Sequence, residues 1–183
     1  KIEAEDGISA LAFSPNGKTL AIGLDQRLCL YDANKFTIKR TLNGIKRGVL
    51  VDVAFSPNGK LIAGISETAE DGEGELAIWN MSTARLIYDR SDPMGHTDIH
   101  DPISFLAGGR RLAFGESSLD VAKDKRSDQA NIEPILSAFT RYDRRWLAYY
   151  VGKHALAIVF RGYTERSQPI VELWDLSSGT LER

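Results

Sequence analysis

Ala12-Phe13-Ser14-Pro15-Asn16-Gly17-Lys18 recurs, 42 positions on, as Ala54-Phe55-Ser56-Pro57-Asn58-Gly59-Lys60. Each copy runs into a short apolar stretch, Thr19-Leu20-Ala21-Ile22 in the first and Leu61-Ile62-Ala63-Gly64 in the second. Proline fixes φ at the first turn position and glycine supplies the positive φ that a tight reversal needs, so each copy reads as a hairpin between two strands. Two weaker copies keep the order of Phe, polar turn, Lys or Arg, then Leu-Ala. They run from Phe105 to Ala113 and, with one extra residue, from Phe139 to Ala148. The chain is a repeat of one structural unit.

The four Phe residues lie 42, 50 and 34 positions apart, a mean of 42. That is the ~40–45 residue period of a propeller blade. Within the first unit, strands are expected at Ile8 to Phe13, Thr19 to Leu24, Arg27 to Asp32 and Thr37 to Leu42. The fourth is the most polar, as befits the solvent-side edge of a sheet. Four short strands per unit specify an all-β array. The expected fold is a β-propeller of about four four-stranded blades, at residues 8–45, 48–91, 101–133 and 134–183.

Composition agrees with a folded domain. The 183 residues are 43% hydrophobic and 26% charged, which excludes whole-chain disorder. The net charge of −2 gives no global pull towards nucleic acid or an anionic membrane, and neither is expected as a partner. The longest apolar run, Ala155 to Phe160, is too short to span a bilayer as a helix. One cysteine, Cys29, leaves no internal disulfide and fits a reducing, cytoplasmic setting. Between its two leucine neighbours it reads as a small buried hydrophobe.

The third strand of each unit carries the most specific sign. Leu76-Ala77-Ile78-Trp79-Asn80 and Val171-Glu172-Leu173-Trp174-Asp175 end in an aromatic followed by Asn or Asp, and Leu28-Cys29-Leu30-Tyr31-Asp32 does so with Tyr. Here the chain resembles the WD40-repeat family, in its bacterial-type repeats. The resemblance implies a ring of about seven blades. It also implies structural roles for Asp32, Trp79, Trp174 and Asp175, and for His96 within Gly95-His96. In that family a loop His, a Ser or Thr, a turn Asp and the Trp share a hydrogen-bonded network. Asp25 is the nearest match to the turn Asp, and no unit has all four members.

Two units depart further. The third lacks the Trp-Asp pair, and Ser118 to Glu133 is polar where its third strand belongs. The fourth offers two threadings, since either Trp146 to Val151 or Ala155 to Phe160 can be its second strand. Residues 1–6 read as the outer strand of a preceding blade, and Thr180 begins an outer strand at the other end. Four open blades would leave two apolar faces in water. The chain is therefore expected to be part of a longer polypeptide, or to pair with another chain that closes the ring.

No catalytic constellation emerges. There is no G-x-S-x-G elbow and no glycine-rich phosphate loop leading into a helix. The segment His96-Thr97-Asp98-Ile99-His100-Asp101 has zinc-ligand chemistry, but Pro93 and Pro102 bracket it as a loop, and no metal or cofactor is expected. Glu67 to Glu75 packs five carboxylates into nine residues without the order of a calcium loop, and reads as a solvated loop between strands two and three. Trp146, Tyr149 and Tyr150 read as core rather than a stacking platform.

Charge divides by position. Residues 1–109 hold 11 basic and 15 acidic side chains, and residues 110–166 hold 11 basic and 7 acidic. The repeat register puts Lys18, Lys60, Arg110 and Arg145 at one position of the first turn, as a basic arc on one face. Asp25, Glu70, Asp71, Glu73 and Asp98 fall on the opposite face. The expected function is non-enzymatic: a scaffold or sensor presenting loops to a protein or peptide partner, with a basic partner on the acidic face. The alternative is an accessory or substrate-gating propeller of a larger enzyme, such as a peptidase.

Overall fold

A computed structural model describes residues 7–68, 74–91, 103–105, 109–114, 117–122, 125–127, 146–151, 154–160, 169–175 and 180–181. No α-helix occurs among the described residues. The strands form four antiparallel sheets, each a meander of four sequential strands. The first holds β1 (Ile8–Phe13), β2 (Thr19–Leu24), β3 (Arg27–Asp32) and β4 (Ile38–Leu42). The second holds β5 (Val49–Phe55), β6 (Leu61–Glu67), β7 (Glu75–Asn80) and β8 (Leu86–Ser91). The third holds β9 (Ile103–Phe105), β10 (Arg111–Phe114), β11 (Ser117–Asp120) and β12 (Lys125–Ser127). The fourth holds β13 (Trp146–Val151), β14 (His154–Phe160), β15 (Pro169–Asp175) and β16 (Thr180–Leu181).

The first strands of the sheets stand side by side, β1 against β5, β5 against β9 and β9 against β13. Sheets arranged in this way face one another, and the second is buried on both sides. The second sheet shows why its strands read as unbroken apolar runs. On β6 and β7, Ile62, Ala77 and Trp79 face a core shared with Ala21, Leu28, Leu30 and Leu42 of the first sheet. The alternate residues Ala63, Ile65, Leu76 and Ile78 face a second core with Phe105, Leu112, Phe114 and Leu119 of the third. A period of two with both faces covered removes the polar alternation of a half-buried strand.

Two features differ from the sequence reading or decide between its alternatives. The third sheet does form a third strand, β11, from Ser117–Asp120, which overlaps the start of the stretch that looked too polar for one. In the fourth sheet β13 comes first and β14 second, so Ala155 to Phe160 lies on the second strand. Arg145, the fourth member expected for the basic arc, lies outside the described residues.

The first sheet also has a far face. Leu20, Ile22, Leu24, Cys29 and Tyr31 form a cluster of their own there. Register places Phe13 opposite Leu20, Leu11 opposite Ile22 and Ile38 opposite Tyr31, all on that face. Phe13 is 63% exposed and Leu11 60%, whereas Phe105, the repeat partner of Phe13, is 2% exposed between two sheets.

Candidate functional site

In an antiparallel meander the turns after the first and third strands open at one end, and the turn after the second at the other. The second end is where the acidic residues were expected to gather. Asp25 lies there, in the turn between β2 and β3, with an exposed side chain and a left-handed φ of 51°. Its carbonyl accepts the Leu50 N–H at 2.8 Å, tying the turn to the start of the next blade. Glu70, Asp71, Glu73, Asp98 and His96 lie outside the described residues.

The second blade has a polar network of its own. The Trp79 indole is 1% exposed, and its Nε1–H donates to the Asn43 carbonyl at 2.9 Å. The Ser66 hydroxyl donates to the Arg47 carbonyl at 2.7 Å and accepts the Glu75 N–H at 3.1 Å. The Glu75 carboxylate accepts the N–H groups of Lys46 at 2.5 Å and Arg47 at 3.2 Å. Glu75 is only 2% exposed. That corrects its assignment to a solvated acidic loop: it holds the loop between blades from inside, as the carboxylate of a buried loop anchor. Gly48, at φ 70°, and Gly74 sit where a Cβ would run into the backbone of Glu67 and Ser66. Lys46 pairs with Asp89 of β8 at 2.8 Å, which draws the Lys46 ammonium pKa upward.

The opposite end is built from repeated turns. The Ser14 and Ser56 hydroxyls each donate to an Asn Oδ1 two residues on, at 2.8 Å. The same Oδ1 accepts the N–H of Lys18 or Lys60 at 3.0 Å. These are local side-chain-to-backbone closures that need no partner elsewhere in the fold. The acid or amide ending each third strand caps the next turn. Asp32 accepts the N–H groups of Asn34 and Lys35, and Asn80 those of Ser82 and Thr83. Asp120 accepts that of Ala122 and pairs with Arg110 at 3.5 Å. Asp120 is thus the counterpart of Asp32, with Leu119 in place of the aromatic, and the missing Trp is what hid it. The Lys35 N–H, the Lys39 ammonium and the Asn34 N–H hold the Asp32 carboxyl down at about 2.

Asp52 on β5 is a link that sequence reasoning missed. One oxygen accepts the Val53 N–H and the other the Ile103 N–H, both at 2.8 Å, joining the first strands of two blades. Burial pushes its carboxyl pKa up, and the Ile103 and Val53 donors oppose that shift. In the fourth sheet Trp174 pairs with Ala155 and Leu181, and Asp175 with His154 and Thr180. Cys29 is buried, with Sγ 3.7 Å from Thr41 Oγ1.

Four-stranded meanders with adjacent first strands and capped third strands define a β-propeller segment. The family model "WD domain, G-beta repeat" matches residues 2–32, in the first repeat. The fold is similar to "Structure of U3-55K", with a TM-score of 0.66 at 13% identity over 98% of this chain. It is similar in the same way to "Crystal structure of RRP9 WD40 repeats", with a TM-score of 0.65 at 13% identity over 98% of this chain. A third likeness, to hydrazine synthase from Kuenenia stuttgartiensis, has a TM-score of 0.60 at 15% identity over all of this chain. The chain spans about half the length of these structures, 52%, 51% and 50%. No curated protein matches the sequence. No described helix is long and apolar enough to cross a membrane.

Proposed function

We propose that this chain forms part of a larger propeller ring that acts as a non-enzymatic protein-interaction scaffold in a reducing, cytoplasmic compartment. The carrying observation is the way the loops between blades are fixed from below. Glu75, Ser66 and Trp79 anchor residues 43–47, and the Asp25 carbonyl anchors Leu50. Loops held in this way present their outward side chains without a large ordering cost on binding. The exposed Leu11 and Phe13 support a further blade against the first sheet, and the single cysteine supports the compartment.

The partner proposed is a basic protein segment over Asp25, Glu70, Asp71, Glu73 and Asp98. Like charge clustered on one face repels itself and focuses field towards a cation. The test is association of a labelled oligolysine peptide with the chain at several salt concentrations. Changing Glu70, Asp71 and Glu73 together to Lys is expected to slow association and flatten its salt dependence. Unchanged association in that triple variant, with loss in Lys18→Glu/Lys60→Glu, would place the site at the wrong end.

A second reading, an accessory or gating propeller of a larger enzyme, is favoured by the likeness to hydrazine synthase, which is an enzyme by its title. It requires a catalytic rate in the carrying polypeptide that responds to substitutions in these loops.

A further inference from the structure

The end opposite the acidic loops carries a feature that the proposed function does not use. Gly17, Gly59 and Gly109 have φ values of 68°, 67° and 66°, and each is followed by a cation: Lys18, Lys60 and Arg110. The carbonyl of each cation accepts an N–H from the residue just past the third strand of its sheet. The donors are Ala33 at 3.1 Å, Met81 at 2.9 Å and Val121 at 2.9 Å. Three cations thus occupy one equivalent position in three successive blades. The turns also adjoin one another. A Cβ built on Gly59 would lie 3.8 Å from Pro15 Cδ, and one on Gly109 would lie 3.1 Å from the Ser56 Cβ. The arc is contiguous and stands on turns closed by their own hydrogen bonds.

The charge at this end is poorly compensated. Asp32 and Asp120 are committed to capping turns, and each already faces a cation, Lys39 at 3.1 Å and Arg110 at 3.5 Å. Lys18 and Lys60 are exposed and have no ion pair among the described residues, as are Lys35 and Arg85 in the neighbouring turns. Beside Lys35, Phe36 is 50% exposed and held at a φ of 55°, a conformation that a bulky side chain rarely adopts. Ala84 has the same backbone conformation, φ 58°, in the equivalent turn of the second sheet, so the repeated turn itself sets it and Phe36 adds the exposed ring.

We propose that this end binds an acidic, extended protein segment, its carboxylates along Lys18, Lys60 and Arg110 and an apolar side chain on Phe36. Cations repeated on closed turns, at the same end of the sheets as an exposed aromatic ring, fit a segment that carries both carboxylates and a hydrophobic side chain. A nucleic acid fits less well. Its affinity comes from many neutralised phosphates, and a chain of net charge −2 with one such cation per blade offers few.

The test uses the full chain and a fluorescein-labelled peptide of glutamates around a central leucine, read by fluorescence polarisation at several salt concentrations. Lys18→Glu/Lys60→Glu is expected to weaken binding at least tenfold and to lessen its salt dependence. Phe36→Ala is expected to weaken it severalfold with the salt dependence kept. All three positions are exposed, so an unchanged melting temperature accompanies both results. Three results would each overturn the proposal: no binding by the wild-type chain, wild-type affinity in the double variant, or tighter binding of oligouridine than of the peptide. The acidic-end reading is tested with oligolysine and stands or falls separately.

Discussion

Glu75 shows how much one side chain can decide. Its carboxylate accepts two loop N–H groups, of Lys46 and Arg47, in a place that water scarcely reaches. Removing the acceptor leaves both donors without a partner, and a buried unsatisfied group costs about 1–3 kcal/mol. Glu75→Ala is therefore expected to lose about 2–4 kcal/mol in chemical denaturation, and a loss within about 0.5 kcal/mol would place Glu75 in solvent. Trp79→Ala is expected to lose about 3–5 kcal/mol, as a large buried aromatic bonded to Asn43. Asp32 gives a pH signature. Its carboxyl is held near 2 against an ordinary 3.8, so its contribution is present above about pH 4 and is lost as pH falls towards 2. In acid titrations of stability, Asp32→Asn is expected to flatten the profile between those values. A variant that follows the wild-type profile through that window would detach Asp32 from its turn.

At the scale of the element, the hairpins were legible because their closure is local. Ser14, Asn16, Gly17 and Lys18 bond among themselves, and the same four residue types do so at 56–60, so the sequence motif and the turn are one object. The outer strands of the third sheet were not legible for the opposite reason. β11 and β12 are strands of four and three residues, made of Ser, Asp, Lys and Arg around one Leu, and only pairing, β11 with β10 and β12 with β11, makes them strands. The fourth sheet was ambiguous because 146–151 and 154–160 are both apolar, and alternation alone does not say which comes first in the sheet. The acidic loop misled in part because a carboxylate's burial depends on donors thirty residues away in sequence. Glycines test this scale. Gly17→Ala meets only the strain of its φ, with open space around it, whereas Gly48→Ala drives a methyl group into the Glu67 backbone. Gly17→Ala is expected to cost about 1 kcal/mol and Gly48→Ala clearly more. Equal melting temperatures for the two variants would contradict the close approach at Gly48.

At the scale of the molecule, the first sheet is covered on one side by the second and presents Leu11, Phe13 and Ile38 on the other. Equivalent positions further along the array lie between sheets, as Phe105 does. An apolar edge of this kind is what a blade shows when its neighbour in the ring is missing, and soluble monomers rarely tolerate large patches of that sort. The central claim, one part of a larger ring, is tested most directly by the mass of the 183-residue chain in solution, measured by light scattering beside the variant Leu11→Lys/Phe13→Lys. The wild-type chain is expected to associate through this face and the variant to be monomeric with its fold intact by circular dichroism. A compact wild-type monomer across the same concentrations would contradict the claim and point to a ring closed by these four sheets alone.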